Sequence, residues 1–162
     1  MAEADAARLT DDARPAFDLA VVLADGLSAI AVQRHGVPVL TALREALGGT
    51  LRWAPLIVAT QSRVALADEV GALLGASLSL ILTGERPGLS SPDSLGAYLT
   101  FEPRLGRVDA QRNCVSNIRP GGLAPEAAAR RIACLLSQAA RRRVSGVALK
   151  DDSAVDLLDA PG

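Results

Sequence analysis

The sequence contains very few aromatic residues. Of its 162 residues only 2% are aromatic, as two Phe, one Tyr and one Trp. A row of exposed aromatic side chains that stacks on bases is therefore not expected, which disfavours a single-stranded nucleic-acid binder. Hydrophobic residues nevertheless make up 49% of the chain, so the core of this domain-sized protein must consist mainly of Leu, Val, Ile and Ala.

Charge of one sign, histidine and cysteine are also scarce. The net charge of −1 gives no bulk attraction to nucleic acid or to an anionic membrane. The single histidine, His35, and the two cysteines, Cys114 and Cys134, disfavour a zinc site, a Ser-His-Asp triad and a disulfide scaffold. We expect His35 at the surface or at a helix end.

Long apolar runs are absent as well. No run approaches the roughly 18 residues that cross a bilayer, and the acidic N-terminus lacks the apolar stretch of a signal peptide. The sequence therefore predicts a cytoplasmic protein with neither a membrane nor a nucleic-acid partner.

Three continuous apolar runs are typical of strands buried on both faces. They are FDLAVVLADG (17–26), APLIVAT (54–60) and SLSLILT (77–83). Helical patterns separate them, and strand–helix–strand–helix–strand predicts right-handed parallel crossovers.

The helices between these strands have start and stop signals. Ser28 can cap a helix that runs to about His35 and is interrupted at Gly36, after which Pro38 begins a second helix. Asp68 opens a shorter helix.

The second half of the chain predicts further elements. Residues 95–101 and 114–118 favour a fourth and a fifth strand, and residues 124–143 form an amphipathic helix. Residues 146–150 are interpreted as an edge strand.

We expect a single α/β domain that is Rossmann-like, with a mainly parallel sheet flanked by helices. It should span residues 17–150, after a flexible lead-in at 1–16 and before a C-terminal tail at 151–162.

In an open parallel sheet, ligands bind beyond the carboxyl ends of the strands. Three segments leave such ends here, at residues 25–28, 61–64 and 84–88, and all three should meet at one edge of the sheet. The last one opens GERPGLSSPDS, a polar stretch that we interpret as a ligand-facing loop and not as the turn of a hairpin. Neither G-x-G-x-x-G after the first strand nor G-x-x-x-x-G-K-[ST] is present, which disfavours dinucleotides and nucleoside triphosphates.

Each residue singled out at this edge has an ordinary alternative. Glu85 and Arg86 can form a surface ion pair that contributes little. Val64 can simply pack, and Cys114 can be a small buried strand residue. Residue chemistry alone leaves these alternatives open and does not name a ligand.

Five blocks of sequence, in order and spacing, resemble the small (light) subunit of ethanolamine ammonia-lyase over about residues 17–150. They are ADGLSAIAVQRHGVPVL, SRVALADEVGALLGA, GERPGLSSPDSLGAYLTFEPR, RNCVSNIRPGGL and RRRVSGVALK. Generic nucleotide-binding folds do not share these blocks.

The resemblance implies a subunit of a coenzyme B12-dependent carbon–nitrogen lyase that converts ethanolamine to acetaldehyde and ammonia. The large subunit is then the partner, in a hetero-oligomer located in the cytoplasm or inside a bacterial microcompartment. It also implies that adenosylcobalamin lies between the two subunits and contacts Val64, Glu85 and Cys114, with no catalytic and no metal-ligating residue in this chain. Because an Asp-x-His-x-x-Gly motif is absent, the cofactor is expected to keep its own benzimidazole on cobalt.

The chain departs from the resemblance before its first block, and the segment between Pro103 and Cys114 is also slightly shorter than in some members. Typical members have a longer region before the ADGLSA block, where this chain has a short acidic segment. A binding or assembly module without the catalytic partnership is therefore the alternative, and a stand-alone enzyme with Glu85 as general base is a third hypothesis.

Overall fold

The computed structural model describes residues 17–85 and 91–149, together with Ala6. The predicted tail lies outside these residues, as does the lead-in apart from Ala6. The described part is α/β, as the sequence predicts, with helices on both faces of a five-stranded sheet.

The five strands coincide closely with the predicted ones, because continuous apolar runs are a strong signal for buried strands. Their order in the sheet is β2-β1-β3-β4-β5. Every residue of the two central strands β1 and β3 is buried. The bounds are β1 Leu19–Ala24, β2 Ile57–Ala59, β3 Leu78–Gly84, β4 Leu95–Phe101 and β5 Asn113–Ile118.

The prediction of a mainly parallel sheet is wrong, and a Rossmann-like arrangement is not confirmed. β1 is parallel to β2 and to β3, but β3–β4 and β4–β5 are antiparallel. Ten residues, 85–94, connect β3 to β4, and a connection this short can join neighbouring strands only in the antiparallel sense. Strands β3 and β4 therefore form a wide hairpin, contrary to our interpretation of the sequence between them.

Within the described ranges, three longer helical elements cover the sheet. Helix α1 spans residues 29–47, α2 is Leu66–Leu73 and α3 is Pro125–Arg142. Helices α1 and α3 pack on one face, where the predicted apolar stripe of α3 is buried. Helix α2 packs on the other face against β1 and β3. No helix among the described residues is long and apolar enough to cross a membrane.

The predicted break at Gly36 is replaced by a change of helix type. Helix α1 runs through an α-helical turn, Ala29–Ala31, a π-helical segment, Val32–Gly36, and an α-helical part, Val37–Leu47. Gly36 keeps right-handed helical angles and is buried. A Cβ there would lie 3.3 Å from a methyl group of Leu23, so the glycine serves helix–sheet packing.

The edge strand predicted at 146–150 is also wrong within the described residues, where Gly146–Ala148 is a short 3₁₀ helix. The Asn113 side chain binds backbone groups of this segment, accepting from the Gly146 amide (2.7 Å) and donating to the Leu149 carbonyl (3.0 Å). These bonds satisfy groups that a strand would have paired in a ladder.

Candidate functional site

The carboxyl ends of β1, β2 and β3 lie at one edge of the sheet, as the parallel part of the prediction requires. The Asp25 amide donates to the Ala59 carbonyl (3.4 Å), and the Leu27 amide donates to the Gly84 carbonyl (3.0 Å). We call this edge the rim, defined by segments 25–28 and 61–64 and by Glu85. Residues 86–88 lie outside the described residues, so the alternative ion pair between Glu85 and Arg86 stays untested.

Glu85 is the first residue after β3, and two protein donors hold its carboxylate. The Ser94 hydroxyl donates to Glu85 Oε2 (2.6 Å), and the Asn117 amide donates to the same oxygen (3.1 Å). The Glu85 amide also donates to the Ser94 carbonyl (3.0 Å). Among the described residues no hydrogen bond reaches Oε1, so this oxygen keeps its capacity to accept.

A β-bulge in β5 provides the second of these donors. The pairing of Ala97 with Val115 is followed by that of Leu95 with Ile118, so β5 has one extra residue at this point. The extra residue leaves both Ser116 and Asn117 exposed, and Asn117 adopts a φ of 57°. The bulge thus presents the Asn117 amide to Glu85.

Gly96 in β4 lies beneath the side chain of Glu85. A Cβ at this position would be 3.0 Å from both Cγ and Oε1 of Glu85, closer than ordinary van der Waals contact. The missing side chain lets the glutamate lie along the sheet. Our sequence reasoning missed Gly96, although a glycine inside an apolar strand signals a close approach.

Cys114 lies in β5 directly opposite Tyr98 of β4 and is exposed. Partial desolvation by the surrounding protein raises the pKa of the Cys114 thiol. A hydrogen bond with Tyr98 lowers this pKa and the charge of Glu85 raises it, and the net shift is upward. Desolvation by burial raises the pKa of Tyr98, and the electrostatic repulsion and the hydrogen bond with Cys114 raise it further. The structure therefore brings Glu85, Tyr98 and Cys114 together, and Tyr98 is a member that sequence reasoning missed.

Val64 lies in the turn before α2 and is partly buried. Its side chain packs, as does that of Tyr98, against the cluster beneath α2. Val64 is thus on the same side of the sheet as Cys114. This packing does not decide between the two roles of Val64, and its contact with a cofactor stays a prediction. Cys114 is exposed, so the ordinary alternative of a small buried strand residue is wrong for it.

The described residues cover this side of the sheet only partly. Helix α2 packs over β1 and β3, whereas Cys114 and Ser116 of β5 remain exposed. We call the surface formed by Glu85, Gly96, Tyr98, Cys114 and Ser116 the open face.

Two polar atoms at the rim have no partner among the described residues. Asp25 Oδ1 and Ser62 Oγ are buried, and no described residue forms a hydrogen bond with them. A buried polar atom without a partner is unfavourable by about 1–3 kcal/mol. A bound polar group would remove this cost.

The only histidine is not a surface residue, contrary to our expectation. His35 lies in the π-helical segment of α1 and is 6% exposed. Its Nε2 is 3.3 Å from Asp93 Oδ2.

Comparison with known proteins names a family. A family model described as "Ethanolamine ammonia-lyase light chain (EutC)" matches residues 1–150. The chain is 57% identical to the ethanolamine ammonia-lyase small subunit of Azotobacter vinelandii over 90% of this chain and 54% of the relative. It is 53% identical to the small subunit of Pseudomonas fluorescens (94% and 60%) and 55% identical to that of Pseudomonas syringae pv. tomato (89% and 50%).

The chain thus spans about half the length of the curated relatives that it matches. The match nevertheless includes every described element of the sheet and all three longer helices. This chain belongs to the ethanolamine ammonia-lyase light-chain family.

Proposed function

We propose that the chain acts as the small subunit of an adenosylcobalamin-dependent ethanolamine ammonia-lyase, in complex with a large catalytic subunit. The open face and the rim would contact the cofactor at the interface between the subunits. The observation that carries this proposal is the Glu85 carboxylate, which is fixed through one oxygen while the other can accept from a ligand.

The residues present fit the outer edge of a corrin, which carries amide side chains around a largely apolar ring. Glu85 Oε1, Asp25 Oδ1 and Ser62 Oγ accept no hydrogen bond from the described residues, so they could accept from amide groups. Val64 and Tyr98 supply apolar surface on the same side of the sheet.

The chain's own residues would bind and orient the cofactor and would not react. When bound, adenosylcobalamin supplies a radical through cleavage of its cobalt–carbon bond. Glu85 would fix the orientation of the ring through its amide groups, and Cys114 would contact it as a neutral thiol, since the raised pKa favours the protonated form. A charge-assisted hydrogen bond from Glu85 would contribute about 1.5–3 kcal/mol to cofactor binding.

His35 would not replace the cofactor's own benzimidazole. The single histidine is 6% exposed, and its Nε2 contacts Asp93. An imidazole nitrogen that is engaged in this way is not available to replace the benzimidazole.

The test is co-expression of this chain with a cognate large subunit, followed by an assay of acetaldehyde release. We expect turnover that requires both chains and adenosylcobalamin, and no turnover by this chain alone. Equal turnover by the large subunit without this chain would overturn the proposal. A complex that binds adenosylcobalamin but releases no acetaldehyde would also overturn it, in favour of a binding or assembly module.

A further inference from the structure

The buried histidine connects helix α1 to the end of the β3–β4 connection. Besides the contact of His35 with Asp93, the Arg34 guanidinium donates to Asp93 Oδ2 (3.1 Å). The Arg34 side chain is 57% exposed, whereas that of His35 is 8% exposed and that of Asp93 18%. Because solvent screens the exposed arginine, His35 makes the better-defined contact of the two.

The π-helical segment explains why a polar residue faces inward here. A π-turn holds more residues than an α-turn and changes which side chains face the sheet. His35 and Gly36 are consecutive and both buried. His35 thus reaches Asp93 from the helix that packs beside β3.

Three consecutive residues at the end of the connection are tied to three different places. The Pro92 carbonyl accepts from the Ser28 hydroxyl (2.6 Å), and Asp93 contacts His35. Ser94 donates to Glu85 through its hydroxyl. The position of Ser94, and with it the position of the Glu85 carboxylate, depends on how its neighbours are held.

Asp93 is suited to this contact as an ionised group. The hydrogen bond with His35, followed by that with Arg34, lowers the pKa of Asp93 below its ordinary value. An ionised carboxylate can only accept, so Nε2 of His35 carries the proton in this contact.

We propose that His35 is a positioning residue that acts through Asp93. It fixes residues 92–94, so that Ser94 holds the Glu85 carboxylate at the open face. The nature of what Glu85 binds rests on the proposed function, whereas the connection from His35 to Glu85 does not.

The first test needs no cofactor and measures amide hydrogen exchange in the chain itself. The reporter is the Glu85 amide, which donates to the Ser94 carbonyl. His35→Ala should accelerate exchange of the Glu85 amide by about tenfold or more, after correction for the change in the free energy of global unfolding. His35→Gln keeps an N–H donor on a flexible side chain and should restore part of the protection.

Val39→Ala is the matched control. Val39 is fully buried in the α-helical part of α1 and belongs to the main core cluster. Its truncation should lower global stability without selectively exposing the Glu85 amide. Equal acceleration by His35→Ala and Val39→Ala would overturn the proposal.

The second test uses the complex with the large subunit and measures binding of adenosylcobalamin. His35→Ala should weaken binding about three- to tenfold, but it should have no further effect in a Glu85→Ala background. Additive losses would overturn the connection through Glu85. If the parent complex does not bind adenosylcobalamin, the proposed function fails, while the exchange experiment still decides the role of His35.

Discussion

Arg112 and Asp68 form an ion pair whose side chains are only 5% and 3% exposed, with Nη2 of Arg112 2.5 Å from Oδ2 of Asp68. Asp68 belongs to α2 and Arg112 immediately precedes β5. The pair therefore joins the helix that follows Val64 to the strand that carries Cys114. It therefore fixes α2 relative to β5, the strand that contributes Cys114 and Ser116 to the open face.

Removal of Arg112 should destabilise the fold strongly. Arg112→Met would leave the Asp68 carboxylate buried without a counter-charge, which costs about 3–5 kcal/mol in the free energy of unfolding. Urea denaturation of the purified chain measures this loss.

Asp109→Ala is the control for this prediction. Asp109 accepts from the same arginine (2.7 Å), but its side chain is fully exposed. Its removal should change the unfolding midpoint very little. Similar losses in both variants would mean that the burial of the Asp68 pair is not what stabilises the fold.

Glu85→Gln should weaken binding of adenosylcobalamin to the complex by about ten- to hundredfold. Ser94 and Asn117 both donate to Oε2, so glutamine must turn its carbonyl toward them. Its NH₂ group then takes the place of Oε1 and faces the N–H groups of the ligand, with which it cannot form a hydrogen bond. Isothermal titration measures the affinity, and the melting temperature of the variant serves as the control. Unchanged affinity would return Glu85 to a purely structural role.

Gly96→Ala should affect cofactor binding more than folding. The new Cβ would lie 3.0 Å from Glu85 Cγ and 3.1 Å from Tyr98 Cε2, so the glutamate must shift. Alanine in a strand is preferred to glycine by about 0.5–1 kcal/mol, which offsets part of the strain. We expect a severalfold lower affinity with a nearly unchanged melting temperature.

The same substitution in a Glu85→Ala background provides the contrast. Without the carboxylate there is no positioned group to displace, so Gly96→Ala should not reduce the affinity further. A full additional loss would show that Gly96 contacts the ligand itself.

The thiol of Cys114 should become more reactive when the nearby negative charge is removed. Glu85 raises the pKa of Cys114, so Glu85→Gln should lower it and increase the thiolate fraction near neutral pH. Alkylation of Cys114 by iodoacetamide should then be severalfold faster. Mass spectrometry of the peptide that contains Cys114 measures this rate. Cys134, on α3, is the internal reference, and an equal change at both cysteines would contradict the prediction.

Local signals predicted the elements of this fold, but not the direction of its strands. The apolar runs located β1, β3 and β4 within two residues, because burial on both faces leaves a continuous pattern. The pattern of β4 is the same for either chain direction. Its antiparallel pairing depends on a polar connection that we interpreted as a ligand-facing loop.

The candidate site was predicted only as far as the parallel strands define it. The carboxyl ends of β1 and β3 indicated the rim and Glu85. The roles of Ser94, Gly96 and Asn117 follow from the antiparallel register and from a bulge, which periodicity does not encode. The inward position of His35 depends on a π-helical segment that α-helical spacing cannot reveal.

The antiparallel pairing of β3 and β4 also has a consequence for the order in which contacts of the site form during folding. Glu85 and Ser94 are 9 residues apart in the chain, whereas His35 and Asp93 are 58 apart. Because the entropy lost on closing a loop grows with its length, we expect the hairpin contact to form first and the long-range contact later. In refolding protein the contact between Glu85 and Ser94 should thus precede the contact by which helix α1 reaches Asp93.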